Sequence, residues 1–482
     1  MFSDYVYEKS GAENVECILL IDDGCLDDAA RFSEKFVAHG FELVRFEDDL
    51  GFRVGYEEKL KSGGGRMAVL ACSKDYVPYD LRSRMHVFDV SLRGIFPRLD
   101  EDALRDLEPD LDLLCMAYRD SYDILTARHD TERFVREKVY GRDNVARYLD
   151  RQGLVLTERA KECDNYREWL TIAEEKAKLD VMAVENDIVP NTAEINELFC
   201  DWAVRRFGSL SSELDPETPV LVGHAMEFMH ERSGKFAIVV MDGMSEFDWH
   251  VLSRSFRDVE YEKTSAFAMI PTVTSVSRQC LLSNKYPVQL QDPWSQAKEK
   301  NEFMACAREM GFTDAQIGYA RGYDADFGAL VRCAAIIIMD VDDLVHGQKQ
   351  GRIGMLNDVD VMAKQKKLVG LVGRLLEQGF DVYISADHGN TPCTGLGRLM
   401  GSGVETETRS RRMLVLKDFA DKNGIMAKYG MVEYPKYFLP KEYDYLICGV
   451  GMSLDARGED VVSHGGITID EVVVPFIRIK AV

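Results

Sequence analysis

The chain has 482 residues, of which 46% are hydrophobic and 29% charged, and its formal net charge is −23. This length exceeds one ordinary hydrophobic core and predicts two or three domains. The acidic charge argues against a protein that coats duplex nucleic acid, because such binding needs many Lys and Arg contacts to phosphates. It leaves open the cleavage of a short strand or a nucleotide, where a bound metal supplies local positive charge.

The sequence shows no membrane or export signal. No apolar stretch approaches the roughly 20 residues that span a bilayer, and the polar, acidic N-terminus lacks a basic start followed by an apolar block. The eleven cysteines include no CxxC pair, which indicates reduced thiols and no cysteine zinc knuckle. We therefore expect a cytoplasmic protein with no membrane partner. One cationic cluster, ETRSRR at 407–412, is typical of a solvated rim, with a phosphate clamp as the alternative.

Residues 1–125 are predicted to form a small N-terminal α/β domain. Strand-like runs occur at 15–21, 41–46 and 67–71, separated by segments with helical spacing. Asp22-Asp23 after the first run invites comparison with the receiver domain of two-component regulators. However, the third run ends in Cys72-Ser73-Lys74, where a receiver needs a phosphorylatable aspartate. We expect a recognition or scaffold domain instead.

Residues 126–215 are predicted to form a helical linker domain or arm. Leu, Ile, Val and Trp recur there at three- and four-residue spacing. Pro190-Asn191-Thr192 followed by Glu194 marks a helix start. The segment SSELDPETP at 211–219 is a candidate boundary. No residue pattern in this region indicates chemistry.

Residues 216–482 are predicted to form a larger α/β domain. Strand-like runs alternate with helical patterns, which favours a mostly parallel sheet with helices on both faces. The predicted strands are Phe236–Met241, Ser265–Ile270, Ala334–Met339, Val382–Ala386, Met413–Leu416, Tyr445–Cys448 and Val472–Ile479.

The ends of these strands carry the candidate functional groups. Chemistry in such sheets collects where parallel strands end at their carboxyl edge. The first strand ends at Asp242, and Pro271-Thr272-Val273-Thr274 follows the second. This pairing of a carboxylate with a hydroxyl predicts a metal site with a nucleophile beside it.

Three later segments supply further ligands. Asp342 and His346 are four residues apart, so they fall on one face of a helical turn and can converge on one ion. Asp387-His388 follows the fourth strand, and His464 stands in a glycine-containing loop before the last one. A single Asp after a strand is commonly a helix cap, and a single His in such a loop is commonly a surface residue. Their joint occurrence at strand ends of one domain favours a metal centre.

This donor set of carboxylates and imidazoles without thiolate suits zinc, with manganese as the alternative. Two divalent ions could bind a phosphoryl group between them and stabilise both the attacking and the leaving oxygen. The Thr274 hydroxyl would then be activated by coordination, consistent with the lack of a Ser-His-Asp arrangement.

The order of these motifs resembles the alkaline phosphatase superfamily, and four segments resemble its PglZ family more narrowly. Those segments are VVMDGMSEFDW, AMIPTVTSVSRQCLLSNKYP, ISADHGN and SHGGITIDEVVVP. The N-terminal segments RFEDDLGFR and YVPYDLR also look like PglZ proteins. The resemblance implies an alkaline-phosphatase-like fold and an association with BREX-type phage defence.

The resemblance also implies roles for individual residues. Carried over by position, a first metal site and a second metal site flank the nucleophile Thr274, which is preferred over Thr272 as the last position of PxxT. The first site would be Asp342, His346 and His464, and the second Asp242, Asp387 and His388. Arg278 would face the phosphoryl oxygens as a catalytic group, with a structural salt bridge as the alternative. Asn284 stands where the family motif leads us to expect glycine. Asp340 and Asp343 are alternatives to Asp342 as the metal ligand.

We therefore expect a two-metal phosphoesterase that forms a phospho-threonine. The preference for diesters of nucleotides or short oligonucleotides rests on the resemblance alone. An alternative is a non-catalytic or weakly catalytic interaction subunit of a defence complex. It would bind other defence proteins, and its metal site would be mainly structural. Phosphotransfer or sulfate-ester chemistry is a third possibility. Thr274 argues against the sulfate-ester reaction, because sulfatases need a Cys or Ser at that position.

Overall fold

The computed structural model describes residues 1–22, 26–72, 75–397, 411–417 and 421–481, without the side chains of residues 28 and 29. The chain separates into two units, Met1–Tyr148 and Leu149–Val482. The predicted boundaries after residues 125 and 215 stay predictions. Asp23, Ser73, Lys74 and residues 407–410 of the predicted cationic cluster lie outside the described residues.

The first unit contains a four-stranded parallel sheet in the order β2-β3-β1-β4. Its strands are β1 (Cys17–Ile21), β2 (Glu42–Arg45), β3 (Met67–Ala71) and β4 (His86–Asp89). Its helices are α1 (Phe2–Ser10), α2 (Leu26–Ala30), α3 (Phe32–Ala38), α4 (Asp49–Ser62), α5 (Tyr79–Arg82), α6 (Leu92–Ile95), α7 (Glu101–Leu107), α8 (Leu111–Asp120) and α9 (Arg128–Phe134). The buried Asp22 carboxylate accepts hydrogen bonds from the backbone N–H groups of Leu26 and Asp27. Asp22 therefore satisfies backbone donors at the start of α2.

Long helices precede the large sheet, as the spacing of apolar residues predicts. They are α10 (Arg142–Glu162), which crosses the boundary between the units, α11 (Tyr166–Glu185) and α12 (Ala193–Arg206). The rings of Trp169, Phe199 and Trp202 pack together, with centroids 5.2 to 5.9 Å apart. The buried Lys176 ammonium lies 2.7 Å from both Asp180 and Asp470. This ion cluster connects α11 to the C-terminal part of the same unit.

The second unit is built on a six-stranded sheet in the order β6-β16-β9-β5-β8-β7. These strands are β5 (Phe236–Met241), β6 (Glu262–Phe267), β7 (Ile317–Arg321), β8 (Cys333–Ile338), β9 (Asp381–Ser385) and β16 (Val473–Ile479). Strand β16 runs in the opposite direction to the other five strands of this sheet. Every residue of β5 and β8 is buried, so both faces of the sheet are covered. The expected mostly parallel sheet is confirmed.

The remaining strands form two smaller sheets. One has the order β14-β10-β15 and the other β11-β13-β12. These strands are β10 (Thr391–Gly395), β11 (Met413–Leu416), β12 (Val432–Glu433), β13 (Asp444–Ile447), β14 (Met452–Ser453) and β15 (Asp460–Ser463). The strands predicted at 413–416 and 445–448 are present, with ends within one residue of those predicted. Placing them in the main sheet was wrong. They pair antiparallel with each other around their own apolar cluster.

Nine helices complete the described part of this unit. They are α13 (Ala225–Arg232), α14 (Glu246–Leu252), α15 (Thr274–Leu281), α16 (Glu299–Glu309), α17 (Asp340–Gly347), α18 (Gly351–Gln365), α19 (Lys367–Glu377), α20 (Lys422–Tyr429) and α21 (Ile469–Val472). The parallel strands β9, β5 and β8 are adjacent. Because their carboxyl ends share one edge of the sheet, the residues that follow them can meet there.

Candidate metal centre and nucleophile

Thr274 is the first residue of α15, and its hydroxyl faces the carboxyl edge of the sheet. The hydroxyl oxygen lies 3.1 Å from His388 Nε2 and 3.5 Å from Asp242 Oδ1. It lines a cavity of about 470 Å³ that also reaches Asp342 and His464. The structure thus brings the predicted nucleophile together with residues from both predicted metal sites.

Thr272, the alternative nucleophile, is turned away from this group. Its hydroxyl donates to the Gly466 carbonyl at 2.8 Å and accepts from the Gly465 N–H. The Thr272 carbonyl also accepts a 2.9 Å hydrogen bond from His464 Nδ1. Thr272 therefore anchors the loop that carries His464.

The second predicted metal site, formed by Asp242, Asp387 and His388, is assembled from adjacent strands. Asp242 follows β5, and Asp387 and His388 follow β9. One potential ligand atom from each residue lies within 4.8 Å of those from the other two, and all three residues are buried. The geometry fits one ion held by two carboxylates and an imidazole.

The first predicted site centres on Asp342. Its Oδ1 lies 3.4 Å from His464 Nε2, and its Oδ2 lies 3.3 Å from His346 Nε2. Among the described residues, the group of potential ligands that contains Asp342 and His464 includes His388 and not His346, and the His388 ring stacks on His464 at 4.1 Å. His388 thus lies between the two groups. His346 is at the rim, with 48% of its side chain exposed.

Of the three neighbouring aspartates, Asp342 is the one directed into the cluster. It is buried, whereas Asp343 is exposed and Asp340 interacts with Tyr323. Gly243, with φ +75°, lies against Asp342, where an added β-carbon would stand 3.4 Å from the Asp342 side chain. The positive φ of Gly243 is a left-handed conformation that favours glycine, so this residue allows the tight turn that follows Asp242.

The hydrogen bonds of two histidines define their tautomers. His388 Nδ1 lies 3.0 Å from the Gly389 carbonyl, and His464 Nδ1 lies 2.9 Å from the Thr272 carbonyl. A carbonyl oxygen only accepts, so each Nδ1 carries the proton. Each Nε2 then offers a lone pair to the cluster, as a histidine ligand requires.

Two buried carboxylate oxygens support a cation at this position. Asp342 Oδ1 and Asp387 Oδ2 have no hydrogen-bond partner among the described residues. A buried carboxyl oxygen without a hydrogen-bond partner is costly. The donor set and these two oxygens therefore fit divalent metal ions.

Electrostatics agree with this interpretation. Burial, followed by repulsion from Asp242, raises the pKa of Asp387 well above its usual range. Burial lowers the pKa of His464 to about 4, and His388 adds to that shift. Burial opposes ionisation of Asp342, but its hydrogen bond with His346 and the nearby imidazoles hold its pKa well below its usual range. The Asp242 and Asp387 carboxylates repel each other, and a cation between them would relieve that repulsion.

Arg278 lies beneath the second site with 1% of its side chain exposed. Its Nη1 donates to Asp242 Oδ2 at 2.5 Å, and its Nε donates to Glu299 Oε2 at 2.5 Å. Tyr319 also donates to Glu299. These contacts favour the structural salt bridge, and a role for Arg278 in facing the phosphoryl oxygens stays a prediction.

Sequence reasoning missed the residues that contact and hold the candidate ligands. Glu299 pairs with Arg278, Ser277 donates to the Asp387 carbonyl, and Asn390 Nδ2 donates to the Gly243 carbonyl at 2.9 Å. Ser277 and Asn390 stand within three residues of a predicted site residue, a proximity that could have indicated them. Glu299 lies 21 residues after Arg278, and nothing in its own segment marks it.

Comparison with known families decides the assignment. A sequence model described as "BREX system PglZ alkaline phosphatase-like domain" matches residues 223–479. The chain belongs to the PglZ family. The matched PglZ domain contains all eight predicted site residues and lies inside the domain predicted at 216–482. Among the described residues, no helix is both long and apolar enough to cross a membrane.

Solved structures similar to this PglZ protein share little sequence with it. Murine ectonucleotide pyrophosphatase/phosphodiesterase 5 is 11% identical with a TM-score of 0.36, covering 50% of this chain and 87% of its own. The human protein of that name is 14% identical with a TM-score of 0.36, covering 51% and 87%. Phosphonoacetate hydrolase from Sinorhizobium meliloti 1021, in complex with phosphonoformate, is 13% identical with a TM-score of 0.33, covering 51% and 89%. A search of curated proteins found no match.

Proposed function

We propose that this PglZ protein is a metal-dependent phosphodiesterase that uses Thr274 as its nucleophile. The observation that carries the proposal is the position of the Thr274 hydroxyl, 3.1 Å from His388 Nε2 and on one cavity with Asp342 and His464. A hydroxyl surrounded by metal-binding groups suits direct attack on phosphorus.

The proposed cofactors are two divalent ions, zinc or, as the alternative, manganese. Asp342, His346 and His464 would hold one ion, and Asp242, Asp387 and His388 the other. When bound, such ions lower the pKa of the attacking hydroxyl and stabilise charge on the phosphoryl oxygens. Two imidazoles with fixed tautomers and mainly buried carboxylates support zinc.

The reaction proposed for the chain proceeds in two displacements. The Thr274 hydroxyl gives up its proton as Oγ forms a bond to phosphorus, the bond from phosphorus to the first alcohol breaks, and that alcohol leaves after gaining a proton. Water then attacks the phospho-threonine, which releases the phosphomonoester and restores the hydroxyl. We assign Arg278 a positioning role in this scheme, because it holds the Asp242 carboxylate in place from below.

The proposed substrate is a diester of a nucleotide or short oligonucleotide, and the proposed setting is phage defence in the cytoplasm. The family description names the BREX system. The described cysteines are all free thiols, as expected in a reducing compartment. Other defence proteins are the proposed partners.

Replacing Asp242 by alanine tests the metal-dependent reaction. We expect the wild type to release p-nitrophenol from bis-p-nitrophenyl phosphate with zinc or manganese. The rate of release by Asp242→Ala should be lower by about 100-fold or more. Metal analysis should show that Asp242→Ala retains less metal than the wild type. Asp314→Ala is the matched control, because that carboxylate is exposed and pairs with Arg308. Equal activity of wild type and Asp242→Ala would contradict the proposal.

A second candidate is an interaction subunit with a mainly structural metal site. The exposed large apolar side chains of residues 126–215 include Leu154 at 59% and Val155 at 48% on α10, and Val189 at 91% between α11 and α12. The second candidate assigns these residues to contact with another protein. This candidate predicts that phage protection survives Thr274→Ala but is lost in Leu154→Glu combined with Val189→Glu. A plaque assay measures both, and loss of protection in Thr274→Ala would contradict it.

A further inference from the structure

A second cavity adjoins the one that contains Thr274, and Trp294 is part of the wall of both. The second cavity has a volume of about 710 Å³, within the range of small-molecule sites. Val288, Trp294, Phe438 and Tyr443 contribute to its lining. A ligand whose phosphate lay beside Thr274 could therefore extend past Trp294 into this space.

The wall of the second cavity presents aromatic rings. Trp294 and Tyr443 meet edge to face, with centroids 6.4 Å apart and planes at 82°. Both side chains are half-buried, so each is held by packing and still reaches the cavity. Lys417 Nζ lies 5.6 Å from the centre of the Tyr443 ring. Fixed, partly exposed rings of this kind are platforms on which nucleobases stack.

The charges around the second cavity favour an uncharged group over a further phosphate. Two lysines, Lys436 and Lys441, are balanced by two carboxylates, Asp292 and Glu442. The Lys436 ammonium is also 2.9 Å from Asp444. Carboxylates and lysines together can accept from and donate to the edge of a base, whereas the carboxylates would repel a phosphate.

We propose that this second cavity is a nucleoside subsite, in which a base stacks on Trp294 while the scissile phosphodiester lies beside Thr274. The proposal rests on the proposed function and deepens it, because it names the nucleoside next to the reacting phosphate as the group recognised. Tyr443 supplies the second ring, and Trp294 is part of the wall of both cavities.

The fluorescence of Trp294 reports binding in the test. The other three tryptophans, Trp169, Trp202 and Trp249, are only 1 to 2% exposed, so a ligand that stacks on an accessible indole quenches mainly Trp294. Binding is measured in the full chain carrying Thr274→Ala, with zinc present, so that the probe is not consumed. The probe is the dinucleoside monophosphate d(ApA), and dimethyl phosphate is the diester without a base.

We expect d(ApA) to quench the fluorescence and to bind at least about tenfold more tightly than dimethyl phosphate. Adding Trp294→Ala should raise the dissociation constant for d(ApA), measured by calorimetry, about tenfold. Trp294→Phe should restore most of the affinity, because it keeps a ring. Tyr443→Ala should also lower the affinity for d(ApA). Tyr429→Ala, a half-buried tyrosine that lines neither cavity, is the matched control.

Equal affinity of d(ApA) for the parent, Trp294→Ala and Tyr443→Ala proteins would overturn the subsite. So would equal binding of d(ApA) and dimethyl phosphate, which would leave the second cavity to another occupant such as a peptide. The two proposals fail separately. If the wild type hydrolyses no diester but d(ApA) binding depends on Trp294, the subsite stands without the hydrolase. If hydrolysis occurs and the affinity for d(ApA) is unchanged in Trp294→Ala, the hydrolase stands without the subsite.

Discussion

Thr274→Ala is expected to lower kcat for bis-p-nitrophenyl phosphate by about 10³-fold or more, because loss of a nucleophile removes the first displacement altogether. The substitution deletes only a hydroxyl and a methyl group, and no carboxylate or imidazole of the cluster. Metal content and thermal stability should therefore stay near those of the wild type. Steady-state release of p-nitrophenol and metal analysis of the same preparation measure the two effects.

Two control variants test whether the loss of activity is specific to the Thr274 hydroxyl. Thr274→Ser keeps a hydroxyl at the first position of α15 and should retain measurable turnover. Thr313→Ala removes a hydroxyl from an exposed turn and should act like the wild type. An active Thr274→Ala protein would mean that water attacks the diester directly. Equal inactivity of wild type and Thr274→Ala with every metal would reject the hydrolase.

Arg278→Met is expected to lower the free energy of unfolding by about 3–5 kcal/mol, the range found when one partner of a buried ion pair is removed. Burial opposes the charge on Arg278, but Asp242, Asp387 and Glu299 raise its pKa above the usual range. The guanidinium therefore stays charged and neutralises carboxylates that have little access to water. Methionine would leave Asp242 and Glu299 facing each other without a cation between them.

Arg308→Met is the matched control for this effect. Arg308 pairs with Asp314 at 2.6 Å, but these side chains are 52% and 70% exposed. Such surface pairs contribute at most about 1 kcal/mol. Urea unfolding with a chelator present compares the two variants. Zinc should recover part of the loss in Arg278→Met, because a cation bound to Asp242 and Asp387 replaces some of the missing charge. Equal losses in both variants would contradict the buried ion-pair interpretation.

The strand ends were the most informative feature of the sequence. Phe236–Met241 was predicted to the residue, and the strands before Asp342 and Asp387 were each displaced by one residue. Apolar runs that end in Asp-Gly or Asp-His are strong local signals, because buried strands need apolar side chains on both faces. The membership in the PglZ family and the alkaline-phosphatase-like sheet are confirmed. The predicted division into three domains and the roles of the site residues stay predictions.

Pairing partners were harder to predict than strands. The run at 413–416 has the apolar character of a central strand, yet it pairs with β13 in a separate sheet. Conversely, β7 (IGYAR) joins the main sheet although its short, partly polar run gave no signal. Local composition reports burial, whereas the choice of neighbouring strand depends on contacts between residues far apart in the chain.

The sequence by itself determined the family and the type of sheet, and it predicted the candidate ligand residues, since each is written in a local motif. Only the tertiary structure decided that Thr274 and not Thr272 faces His388, that Asp342 and not Asp340 or Asp343 lies against His464, and that Arg278 contacts Asp242 from below. It also revealed Glu299 and the second cavity beyond Trp294. These features depend on the direction of side chains across non-consecutive elements, which residue spacing along one segment does not specify.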